Sequence, residues 1–163
     1  MTENTPNQML AAYLLGDTHC LSATSNLDAV TPPPSSFRLI PGTKPYFSVN
    51  ARIGRDLVSY YHLPTFLGLT SQAPENDDVP TTLITRDPLS VSTIGLQTDA
   101  ILDFIPTEEI SDAERDSLVL PAKLTPYCVR LASARSVLWA LIDLDQIIRD
   151  PNFRAVELPV QRP

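Results

Sequence analysis

Residues 125–150 read TPYCVRLASARSVLWALIDLDQIIRD, and the fold class turns on how this stretch is read. Thr125 is a capping residue, and Pro126 suits a first helical position, where its missing N–H has no intrahelical partner to lose. Tyr127, Leu131, Ala134, Leu138, Leu141 and Ile148 fall into one stripe at helical spacing, with Arg130, Ser133, Asp143 and Arg149 opposite. Asp150 ahead of Pro151 supplies a stop, because the residue before proline is pushed out of the helical region. The pattern predicts a helix over about 125–150. Its second half, VLWALIDLDQII, is apolar over more than half of its circumference, which places it at the centre of the core rather than shared with a neighbouring subunit.

Two shorter helices are expected upstream. Thr5 and Pro6 open one whose apolar face is Met9, Leu10, Tyr13 and Leu14, ended by Gly16. Ser111 and Glu114 have the spacing of a capping box, so a short acidic helix is expected from Ser111 to before Pro121. Strands are read elsewhere. Phe47, Val49, Ala51 and Ile53 alternate with Ser48, Asn50 and Arg52, the period of a half-buried strand. The β-branched segments TTLITR (from Thr81) and LSVSTIGL (from Leu89) flank Asp87-Pro88 as a hairpin-like pair. The tail, FRAVELPVQRP, alternates as an edge strand. The expected fold is therefore α+β: a small mixed sheet of short strands packed on the C-terminal core helix.

Sixteen prolines against five glycines in 163 residues stiffen this chain. Residues 18–45 contain TPPPSS (Thr31 to Ser36), which favours extended polyproline geometry, and are read as a proline-rich arm or linker. Length and composition, 43% hydrophobic and 19% charged, fit one globular domain spanning 1–163.

The net charge of −7 is unevenly spread: residues 1–74 hold four acids and four bases, 75–116 eleven acids and two bases, 117–163 four acids and six bases. Arg38, Lys44, Arg52 and Arg55 form a basic segment ahead of the acidic one, so complementary patches able to steer contacts between chains are one reading and a solvated surface the other. Four clustered bases in an acidic chain give too weak a footprint for nucleic acid as the main ligand. No stretch matches a membrane span, because Asp143 and Asp145 interrupt the most apolar run, and no secretion signal is visible; a cytoplasmic location is expected, or a virion if the protein is viral.

Chemistry is scarce. Cys20 and Cys128 lack metal-site or redox spacing and read as buried free thiols. His19 and His62 are the only neutral-pH acid–base candidates. Asp17-Thr18-His19 resembles the opening D-x-H of metal-dependent phosphoesterases, but the other motifs of that family are missing, which leaves a polar turn after Gly16. Glycine-rich phosphate loops, nucleophile elbows and calcium loops do not occur. No catalytic, cofactor-binding or metal-binding residues are assigned. The sequence points to a non-enzymatic structural or assembly subunit, an accessory or connector in a larger complex such as a viral or phage particle, whose partners are protein subunits or copies of itself. The alternative is an acidic inhibitor or immunity-type protein that covers a basic partner surface with residues 99–116.

Overall fold

The computed structural model describes residues 9–24, 27–31, 47–53, 56–69, 82–87, 89 and 93–155. They form eleven strands and three short helices: β1 Met9–Leu15, β2 Thr18–Ala23, β3 Leu27–Thr31, β4 Phe47–Ile53, β5 Asp56–His62, α1 Leu63–Phe66, β6 Thr82–Arg86, β7 Thr93–Gln97, β8 Ala100–Pro106, β9 Ser111–Asp112, β10 Cys128–Ala134, β11 Val137–Ile142, α2 Leu144–Arg149 and α3 Pro151–Arg154. The first sheet has the order β8-β1-β2-β11-β10-β9 and the second β3-β6-β7-β5-β4. Each joins two antiparallel hairpins through one parallel contact, β2 with β11 and β5 with β7. Among the described residues no helix is long and apolar enough to cross a membrane.

The α+β expectation is overturned. Residues 125–150 are a single 3-10 turn at Thr125–Tyr127, the hairpin β10–β11, and the six-residue α2. Among the described residues no core helix exists for a sheet to pack on. The expected N-terminal helix is strand β1, and the expected acidic helix begins as β9, which pairs with β10 at Ala132 and Ser133. Within the expected arm, Thr18–Ala23 and Leu27–Thr31 are sheet strands, while residues 32–45 lie outside the described ones. The strand over Phe47–Ile53 and the antiparallel pairing of Thr82–Arg86 with Thr93–Gln97 match the sequence reading. In the tail, Phe153 and Arg154 belong to α3, and 156–163 lie outside the described residues.

The physical reason for the misreading is burial on two sides. Ala11, Tyr13, Leu15, Cys20, Ala140 and Ile142 face a core shared with Leu63 of α1 and with Leu83, Ile94 and Leu96 of the second sheet. Their neighbours in sequence, Leu10, Ala12, Leu21, Trp139 and Leu141, face a second cluster with Ile105 and Ala134, made by the first sheet alone. That sheet curls round this cluster, because its two outer strands, β8 and β9, are joined by residues 107–110 only. A strand buried on both faces has no polar side to alternate with, so MLAAYLL and VLWALI read as unbroken apolar runs.

The β10–β11 turn is hidden for a different reason. Arg135 (φ 52°) and Ser136 (φ 63°) occupy the left-handed region in a two-residue connection where asparagine and glycine are usual. Arg135 is held there by Asp103 of β8 (2.6 Å) and by Glu109 (3.1 Å), which fasten the hairpin tip to the far edge of the curled sheet. Ser136→Gly relieves a left-handed residue at no loss of these pairs, and glycine's larger unfolded entropy offsets part of the gain. The variant should be more stable by about 0.5–1 kcal/mol in urea titration; an equal or lower midpoint would show that the turn carries no strain.

Where the parallel contact ends, side chains take over. β2 and β11 share only the pairs Cys20–Ala140 and Leu21–Leu141, after which the Ser22 hydroxyl donates to the Ile142 carbonyl (2.8 Å). Its one proton being committed, Ser22 accepts from the fully buried Tyr13 hydroxyl at 2.6 Å. Ser22→Ala strands both a buried phenol and a carbonyl, whereas Tyr13→Phe removes one donor and leaves the Ser22 bond intact. The smaller truncation should therefore cost more, about 2–3 kcal/mol against about 1 kcal/mol by denaturant titration. The reverse order would show that the relay does not hold the strands together.

Candidate functional site

The groups with catalytic potential are placed singly. His19 lies half-buried on β2 with its ring edge-on to Trp139, centroids 5.2 Å apart. His62 ends β5, is 6% exposed, and its Nδ1 lies 2.6 Å from the Thr65 hydroxyl. Burial pushes its pKa down to about 4 against a smaller opposing pull from Asp99, so the ring is neutral at physiological pH. Burial likewise pushes the Cys20 thiol up to about 12 and raises Cys128, which keeps both thiols protonated and poorly nucleophilic. Both cysteines are free, Cys20 buried and Cys128 half-buried against the same core. Among the described residues no three His, Cys, Asp or Glu side chains converge as a metal site. Asp17 is in the exposed turn between β1 and β2, while His19 points toward Trp139.

The acidic stretch 99–116 is largely engaged within the chain. Asp99 accepts from the Gly16 N–H at 2.5 Å, where Gly16 takes φ +61° in the β1–β2 turn. Asp103 and Glu109 hold Arg135, and Asp112 pairs with Arg130. The Asp103 carboxyl is held below its ordinary range by the Phe104 N–H and by Arg135. The second acidic run is structural too: Asp143 caps α2 by accepting from the Gln146 N–H (3.2 Å), and Asp145 pairs with Arg149 one turn on. The basic segment fares otherwise, since Arg38, Lys44 and Arg55, with the side chain of Arg52, lie outside the described residues.

What the fold assembles is an apolar surface. Val129 sits at a bulge in β10, where Cys128 pairs with Ile142 and Arg130 with Leu141, and this irregularity turns its side chain outward to 62% exposure. On one side a groove of about 560 Å³ runs between β10 and residues 113–120, lined by Ala113, Leu118, Leu120, Cys128 and Leu131 with Arg115 and Asp116 at its rim. On the other, a groove of about 320 Å³ opens where β2 and β11 part, lined by Leu10, Leu141, Leu144 and Ile148. Val119, next to Leu118 and Leu120, is 90% exposed. β9 covers only Ala132 and Ser133 of β10, so among the described residues the Cys128–Arg130 end of that strand pairs on one side only.

No family model matches the chain, and no curated protein matches it in sequence. Among solved structures it is similar in fold to the scaffolding protein TtCheW from Thermoanaerobacter tengcongensis, with a TM-score of 0.68 at 14% identity, over 94% of this chain and 95% of that one. At that identity the likeness establishes a shared fold.

His62 gives the fold a pH signature. Its folded pKa of about 4 lies below the ordinary value of 6.5, so the unfolded chain takes up a proton first as pH falls. Stability contributed by the neutral ring is complete above about pH 6.5 and declines between 6.5 and 4, by up to about 3 kcal/mol. His62→Gln should flatten that part of the stability–pH curve. An unchanged slope would mean that another group titrates there.

Proposed function

We propose that this chain is a non-enzymatic scaffolding subunit that joins other proteins through its exposed apolar surface around Val119 and Val129. The observation that carries this is the likeness of fold, over nearly the whole of both chains, to a protein described as a scaffold. The surface supports it, because grooves lined by leucines on either side of the outward Val129 suit apolar side chains from a partner. The likeness is to a scaffolding protein and not to a component of a virus or phage, so a particle setting drops out of the reading. The acidic-inhibitor reading has less behind it, since Asp103, Glu109 and Asp112 are already paired with arginines of the same chain.

The test is to express tagged protein in its native host, purify it under native conditions and weigh the product by native mass spectrometry. A scaffold comes out with other proteins in fixed ratios. Val119→Asp and Val129→Asp place a charge where a partner would desolvate it, and each should lower the recovered partner about tenfold or more. Both side chains are exposed, so the melting temperature should hold. A chain that is recovered alone, or whose partners are indifferent to both substitutions, contradicts the proposal.

A further inference from the structure

We propose that the second sheet holds an internal water molecule on Gln97 and Thr82. The register pairs Thr82 with Gln97 across β6 and β7, and His62 with Gln97 across β5 and β7, so Thr82, Gln97 and His62 stand in one row, which β3 continues at Thr31. They point away from the core between the sheets, which takes their sequence neighbours Leu83 and Leu96. Gln97 and Thr82 have no exposed surface. The nitrogen and oxygen of the Gln97 amide and the Thr82 hydroxyl have no hydrogen-bond partner among the described residues, whereas His62 has Thr65. Thr98, the next residue, is equally buried and its hydroxyl is also unpartnered.

Three orphaned polar atoms on adjacent strands are a strong signal, because buried polar groups are nearly always paired. None of the described side chains on this face is hydrogen-bonded to these three atoms. Gly95 lies between Tyr60 and Thr82, whose ring and methyl carbons would be 2.6 and 2.9 Å from a side-chain carbon built there, so that part of the face is filled with carbon. Directly opposed side chains on neighbouring strands start about 5 Å apart, within the span of one bridging molecule. The donors and acceptors define the ligand: an amide N–H that donates, an amide oxygen that accepts and a hydroxyl that does either are what a single water satisfies with its usual three bonds. A cation is unsuited, for the row contains no carboxylate.

Water ²H and ¹⁷O magnetic relaxation dispersion on the full chain counts solvent molecules that stay bound longer than the protein tumbles. Gln97→Met keeps the length of the side chain and removes both amide atoms, and Thr82→Val is isosteric and removes the hydroxyl. The dispersion amplitude should fall by about one long-lived water in Gln97→Met, and by the same amount or with much faster exchange in Thr82→Val. Amplitudes equal to the parent in a folded variant overturn the proposal, as does a rise in stability of Gln97→Met, which would mean that the amide is truly unmet. If Gln97→Met fails to fold, Thr82→Val decides alone.

Discussion

Strand β1 is paired on both edges and buried on both faces, and the rest of the molecule is arranged to permit this. β2 and β8 take its two edges. Ala11, Tyr13 and Leu15 bind it to the second sheet, while Leu10 and Ala12 fill the curl of the first. Such a strand tolerates only apolar or internally satisfied side chains, which is why its one hydroxyl, on Tyr13, donates a hydrogen bond to Ser22 and is kept far from ionisation by burial. The same constraint passes to β11, whose Ala140 and Ile142 meet one core and whose Trp139 meets the other, with the Trp139 indole N–H donating to the Ala134 carbonyl at 3.0 Å.

A frame locked in this way leaves its margins to carry the interactions. Arg135 fastens the β10–β11 tip to Asp103 and Glu109, Tyr127 donates to Asp150 at 2.5 Å, and Arg154 forks onto the Asp87 carboxylate with both contacts at 2.9 Å. The bulge in β10 turns Val129 outward, and Val119 stands exposed between Leu118 and Leu120.

The sequence was legible where one physical signal dominated. Alternation found Phe47–Ile53, and β-branched residues found the pair Thr82–Arg86 and Thr93–Gln97. It misled where tertiary burial replaced alternation. In 125–150 the apolar residues fit helical spacing because both faces of β11 and of the Leu131–Ala134 end of β10 are occupied, and the one break that would have exposed a hairpin, Arg135-Ser136, holds its left-handed geometry without glycine. Ser111 and Glu114 have capping-box spacing, yet Ser111 pairs in β9 and the turn that follows closes from Ser117 N–H to the Glu114 carbonyl. The candidate surface had no signature of its own. Val119 and Val129 look like any core valine until the fold shows them in solvent, and Gln97 and Thr82 look like ordinary polar strand residues until the fold buries them.

The double burial of β1 is most directly tested by native-state hydrogen exchange in low denaturant. Amides of Leu10 to Leu14 should exchange only through global unfolding, with a free energy and denaturant dependence equal to those of the whole molecule. If they exchange through local opening, at a lower free energy than β6 and β7, then β1 is not the element that holds the two sheets together.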